Sequence, residues 1–147
     1  MTLAICDASV VVKWFHAEGE SEVPQARAIL AAERRGLLRT LVLDLTYYEM
    51  GNFMARRARW SADRIVAGLR DFALVGGSPI RCGVSELARA AVLAADHGLS
   101  FYDASYWAVA RALGADLVTA DSKLLAAGAG ESPGDFCERL GLEVADE

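Results

Sequence analysis

Short apolar runs alternate with stretches of helical spacing along most of the chain. Leu3-Ala4-Ile5-Cys6 predicts a first strand, closed by Asp7-Ala8-Ser9. Val10-Val11-Val12 with Trp14 and Phe15 continues the core, and so short a run fits helix or strand. Pro24 suits the first turn of a helix that reaches about Arg35 and stops at Gly36, with Ala26, Ile29 and Leu30 as its apolar stripe. Leu41 to Leu43 is a second strand candidate. Thr46 opens a helix to about Arg59 that buries Met50, Phe53 and Met54. Ser61 caps another, with Ile65, Leu69 and Phe72 on one face.

After the loop Gly76-Gly77-Ser78-Pro79, Ile80 to Cys82 suggests a third strand. Ser85 is expected to cap a helix ending at His97-Gly98, and a further helix runs from Tyr102 to Leu113, stopped by Gly114. Leu117 to Thr119 is the fourth strand. Gly128 to Gly134 reads as a flexible loop before a short helix and a last strand at Leu142 to Val144. This alternation predicts an α/β fold, a three-layer α/β/α sandwich around a mainly parallel central sheet. No internal repeat or linker divides the chain, so residues 1–147 are expected to form a single domain.

Composition narrows the class. Hydrophobic residues make up 54% and charged residues 24% of 147, as in soluble globular proteins. No apolar run nears the ~18 residues that span a bilayer, and no secretory pattern opens the chain, so no membrane association and a cytoplasmic location are expected. Cys6, Cys82 and Cys137 lack metal-ligand spacing and read as reduced. The net charge of −5 argues against a generic nucleic-acid binder. Its distribution is uneven: nine basic residues and four acids lie between Arg27 and Arg70, and ten acids with three basic residues follow from Asp96 onward. Nucleotide-binding glycine patterns are absent.

Four carboxylates stand at the ends of predicted elements: Asp7 and Asp121 after strands, Glu49 and Asp103 in first turns of helices. Each has a plain structural use. Thr46-Tyr47-Tyr48-Glu49 and Ser100-Phe101-Tyr102-Asp103 fit capping boxes, and Asp7 and Asp121 fit turns or N-caps. In an open parallel sheet, however, strand ends and helix starts meet in one crevice. Four carboxylates there, ~5 Å apart at an effective dielectric of ~20, would cost roughly 3 kcal/mol per neighbouring pair. A hard divalent cation removes that penalty.

The segments carrying these acids resemble the PIN-domain family of metal-dependent ribonucleases, most closely the VapC-type toxins of prokaryotic toxin–antitoxin pairs. The likeness rests on Ile5-Cys6-Asp7-Ala8-Ser9-Val10 through Trp14-Phe15, on Glu49-Met50-Gly51-Asn52, on Gly98 to Ala104 with Tyr106-Trp107, and on Leu117-Val118-Thr119-Ala120-Asp121 with Leu124. Their order and spacing match from about Leu3 to Leu125. The family often has Pro before the Glu-bearing helix, where this chain reads Leu43-Asp44, and residues beyond about Gly128 match poorly.

The resemblance implies an Mg²⁺-dependent endoribonuclease (Mn²⁺ being the alternative ion) with Asp7, Glu49, Asp103 and Asp121 as catalytic acids. Asp7 and Asp103 would be the principal metal ligands, and Ser9, Asn52 and Thr119 would orient carboxylates or water. It also implies an RNA substrate, a cognate antitoxin protein and a homodimer. Two other classes stay open: a phosphotransferase or phosphatase using an aspartyl-phosphate at Asp7, for which Ser9 stands where a second Asp is usual, and a non-catalytic binding module. Arg56, Arg57, Arg59 and Arg64 fit either RNA phosphates or a solvated helix face. Tyr47, Tyr48, Trp60 and Trp107 read as core or interface, His16 and His97 as isolated, and Lys123 as an exposed turn lysine.

Overall fold

A computed structural model describes residues 1–146 of the chain. Its centre is a three-stranded sheet in the order β2-β1-β3, parallel throughout. β1 (Thr2–Cys6) pairs Thr2 to Ile5 with Leu38 to Leu41 of β2 (Leu38–Leu41). On its other edge, Ala4 to Cys6 pair with Asp116 to Val118 of β3 (Asp116–Val118). A central parallel strand is covered on both faces, which is why β1 reads as an unbroken apolar run.

Period-two alternation divides the core into two layers. Ala4, Cys6 and Val118 face one layer, made by α1 (Ala8–Phe15), α2 (Val23–Arg34), α3 (Asp44–Asn52), α4 (Ala62–Gly76) and the late helix α8 (Pro133–Leu140). Ile5 and Leu117 face the other, made by α5 (Val84–His97) and α6 (Phe101–Leu113), with Leu124 of α7 (Ser122–Ala126). The result is the expected α/β/α sandwich.

Several boundaries differ from the sequence expectation. The segment 8–15 is helical. The second strand lies at Leu38–Leu41 rather than Leu41–Leu43, because Thr40 is buried and donates to the Glu33 carboxylate while Arg39 is exposed. Ile80 makes only a single bridge, with Leu43, before Gly83 caps α5, so no third strand forms at Ile80–Cys82. Ser85 therefore lies inside the first turn of α5 and donates to Glu86. Leu142 to Val144 form no strand, since the Leu142 N–H closes the end of α8 on the Cys137 carbonyl.

The loop at Gly128 to Gly134 is tied down in part. Glu131 pairs with Val118, donating its N–H to the Leu117 carbonyl at 2.9 Å and accepting from the Thr119 N–H at 2.9 Å. Gly130 permits this approach, because a Cβ there would stand 2.4 Å from the Leu117 oxygen.

The helix expected from Thr46 to Arg59 begins at Asp44 and changes character midway. α3 ends at Asn52 and a π-helical turn follows over Phe53–Arg57, where the Ala58 N–H reaches the Phe53 carbonyl at 3.0 Å. Arg59, left-handed at φ 55, ends it. Leu43 is the N-cap residue of α3, and its N–H donates to Thr46 Oγ1 at 3.3 Å. Thr46 and Glu49 thus do not form a capping box.

Candidate active site at the carboxyl edge of the sheet

Asp7 is the first residue past β1, where its N–H donates to the Val118 carbonyl at 3.2 Å. The register that pairs Cys6 with Val118 places Thr119 beside it. Although Asp7 occupies the N-cap position of α1, its side chain makes no cap bond. The carboxylate instead accepts from Ser9 Oγ at 2.5 Å and from Thr119 Oγ1 at 2.5 Å. Ser9 Oγ also accepts from the Ala120 N–H at 2.8 Å, and Thr119 Oγ1 from the Asp121 N–H at 3.0 Å. Two hydroxyls thereby lock the ends of β1 and β3 onto one carboxylate.

Asp7 is 3% exposed. Burial pushes its pKa from 3.8 up to about 7; the Ser9 and Thr119 hydroxyls oppose the rise, and the charges of Glu49 and Asp103 add to it. That mutual influence joins three of the four acids in one electrostatic site. Glu49, half-buried on α3, is raised by burial and by Asp103, against the Tyr106 hydroxyl. Its Oε1 is buried without a hydrogen-bond partner. Such an oxygen is costly unless a proton or cation meets it.

Asp103 sits in the first turn of α6, where Ser100 Oγ caps by accepting the Asp103 N–H at 3.1 Å. Burial and the Asp121 charge raise its pKa, while Ser100 and Lys123 lower it. Asp121 caps α7, accepting the Leu124 N–H at 2.9 Å through Oδ2. Its capping role and its place beside Asp103 coexist, because the cap bond is made by one carboxylate oxygen. Asn52 is exposed on the rim of a cleft of ≈ 510 Å³ that Glu49 also lines.

Charge thus links Asp7, Glu49 and Asp103 to one another, and Asp103 to Asp121, as a chain of neighbours rather than a tight knot. Among the described residues, no three Asp, Glu, His or Cys side chains are close enough to enclose an ion by themselves.

The sequence reading placed Tyr106 in the core and in the motif without a site role, and passed over Lys13. Tyr106, 1% exposed, shares a 2.8 Å hydrogen bond with Thr46 Oγ1, and its hydroxyl borders Glu49. The signal was its spacing, three residues past Asp103 on the same helix face. Lys13, 3% exposed, pairs with Glu20 at 3.2 Å in a cleft of ≈ 360 Å³ that also holds Ser9, Glu49 and Ala120. Its mark was a lysine inside the run Val10 to Trp14.

Comparison with known proteins identifies the family and the fold. Residues 4–130 match the PIN domain. Exonuclease VapC9 of Pyrobaculum aerophilum is 39% identical over 92 residues, 58% of this chain and 64% of that protein, so the match spans a little under two thirds of the relative's length. The crystal structure of PAE2754 from Pyrobaculum aerophilum superposes with a TM-score of 0.66 at 29% identity, covering 95% of this chain and 97% of that one. The motif resemblance to VapC-type proteins and the fold thus point the same way. The chain belongs to the PIN-domain family.

Proposed function

We propose that this chain is a metal-dependent endoribonuclease and the toxin of a VapBC-type pair. The observation that carries the reading is the buried Asp7 carboxylate, clasped by two hydroxyls and pressed by the charges of Glu49 and Asp103. A site holding that much negative charge in low dielectric suits a divalent cation. Asp7 and Asp103 would hold Mg²⁺ or Mn²⁺, and the partnerless Glu49 Oε1 fits a role for Glu49 and Asp121 in holding metal-bordering water. Fewer than three enclosing side chains fits Mg²⁺, which keeps several waters. When bound, the ion supplies an activated water and neutralises charge on the phosphoryl oxygens.

The chain's own residues set the geometry. Ser9 and Thr119 fix the orientation of Asp7, the Leu124 N–H fixes Asp121, and Thr46 with Tyr106 joins α3 to α6, the helices that carry Glu49 and Asp103. An aspartyl-phosphate mechanism fits less well, since hydroxyls already engage both oxygens of Asp7. The partners proposed are an RNA substrate, an antitoxin that covers the acidic crevice, and a second copy of the chain. The likeness to VapC9 supports the first two. That relative is called an exonuclease, so the mode of cutting belongs to the test.

Purified protein should cleave single-stranded RNA with Mg²⁺ or Mn²⁺ and stop in EDTA. Asp103→Asn should remove cleavage while the protein stays folded. Mapping product ends separates internal cuts from trimming. Undiminished cleavage in EDTA would refute the metal mechanism.

A further inference from the structure

The clefts that border the acid site share one wall. Phe53 and Arg57 line the ≈ 360 Å³ cleft beside Ser9 and Ala120 and the ≈ 510 Å³ cleft beside Asn52, both of which contain Glu49. The same two residues line a third cleft of ≈ 610 Å³, which leads away from the acids between Phe15, His16, Trp60 and Arg64. The π-helical turn carries this wall, and such turns recur at functional sites.

The third cleft combines guanidinium groups with aromatic rings, and Glu18 is the one carboxylate on its lining. The Arg57 guanidinium lies 5.8 Å from the Phe53 ring centre, and that of Arg64 lies 4.0 Å from the Trp60 ring. His16 meets Phe53 edge-on at 5.3 Å. Among the described residues, neither arginine pairs with a carboxylate. In a chain of net charge −5 this leaves two free guanidinium groups beside aromatic faces, in a cleft that shares its wall with those lined by Glu49. Guanidinium forks bind phosphate, and rings bordering a basic groove stack bases of single strands. An acidic peptide would use the charges but not the rings.

We propose that this cleft binds the single-stranded RNA flanking the phosphate held at the acid site, with Arg57 and Arg64 on backbone phosphates and Phe53, Trp60 and His16 against bases. The assignment rests on the reading of the acid site as a nuclease centre, but binding can be measured apart from cleavage.

The test uses Asp7→Asn protein in EDTA and a fluorescent single-stranded oligoribonucleotide of about ten nucleotides, within the span such grooves cover. Fluorescence anisotropy gives the affinity across a salt series. Arg57→Gln and Arg64→Gln, at exposed positions, should each weaken binding about tenfold and lower the salt slope by roughly 0.7, as for one lost phosphate contact. Trp60→Leu should weaken it similarly with the slope unchanged. Arg34→Gln on α2 should change nothing, and duplex RNA should bind less tightly.

Unchanged affinity in Arg57→Gln and Arg64→Gln would overturn the assignment, as would an equal loss in Arg34→Gln. Polyglutamate binding with equal strength and the same Arg57 dependence would overturn it in favour of an acidic protein partner. The two readings fail separately. Loss of binding in these variants with no cleavage by the parent would sink the nuclease proposal alone. Cleavage by the parent with normal KM in the Arg57 and Arg64 variants would sink this one alone.

Discussion

Replacing Asp7 by asparagine should stabilise the metal-free protein while abolishing its proposed activity. The folded state raises the Asp7 pKa from 3.8 to about 7, so the fold holds this proton more tightly than the unfolded chain does. The contribution to stability is full below about pH 4 and is lost as pH rises through about 7. At ~1.4 kcal/mol per pKa unit, the raised pKa costs the fold ~4 kcal/mol at pH 8, where Asp7 is ionised, and ~2 kcal/mol at pH 5, where the fold takes up a proton that the unfolded chain has released. Asparagine keeps the shape, can accept from one hydroxyl and donate to the other, and carries no charge. The stability gap between variant and parent should therefore widen by ~2–3 kcal/mol from pH 5 to pH 8, or ~5–10 °C in Tm for a chain of this size. Thermal unfolding in EDTA at several pH values reads it directly. A gap that stays constant over this range would mean that Asp7 ionises in the fold as it does in water, and the burial argument would fail.

Three further perturbations test the remaining parts. Millimolar Mg²⁺ should raise the Tm of the parent, more at pH 8 than at pH 5, and should raise that of Asp7→Asn less; no shift in the parent would count against a preformed cation site. Thr119→Val removes the donor to Asp7 and the acceptor for the Asp121 N–H, and should cost about 1–3 kcal/mol in urea unfolding. Gly130→Ala should cost a similar ~1–3 kcal/mol, because its Cβ would meet the Leu117 carbonyl, whereas Gly51→Ala, in open space on α3, should gain roughly 0.5–1 kcal/mol. Equal effects at the two glycines would refute that contrast.

The sandwich was legible because apolar runs and helical spacing alternate, and because Gly98 and Gly114 stop helices where left-handed residues are needed. Asp7, Asp103 and Asp121 were legible because each follows a strand or opens a helix, whereas Glu49, expected in a first turn, lies in the second turn of a helix that begins at Asp44. What the pattern hid was set by pairing in space. Thr40 is buried because Glu33 receives its hydroxyl, so β2 begins three residues before its apolar run suggests. Ile80 to Cys82 look extended yet have only one bridge to hold them. Glu49 looked like a cap residue, but Thr46 serves Leu43 and the Glu49 Oε1 is left without a hydrogen-bond partner. No local spacing announces a π-helical turn, and the wall it builds from Phe53 and Arg57 exists only in three dimensions.

The first strand in the chain is the middle strand of the sheet, and one of its two edges stays open until β3 arrives. A nascent chain of about a hundred residues already carries Asp7 and Glu49, but neither the Thr119 hydroxyl that orients Asp7 nor the Asp121 side chain exists yet. Only when Val118 docks beside Cys6, and Glu131 then closes over Val118, does the carboxylate acquire its full set of neighbours. The proposed chemistry thus waits on the closing of the sheet, so a ribosome building this polypeptide is not exposed to a finished site until Glu131 has been made.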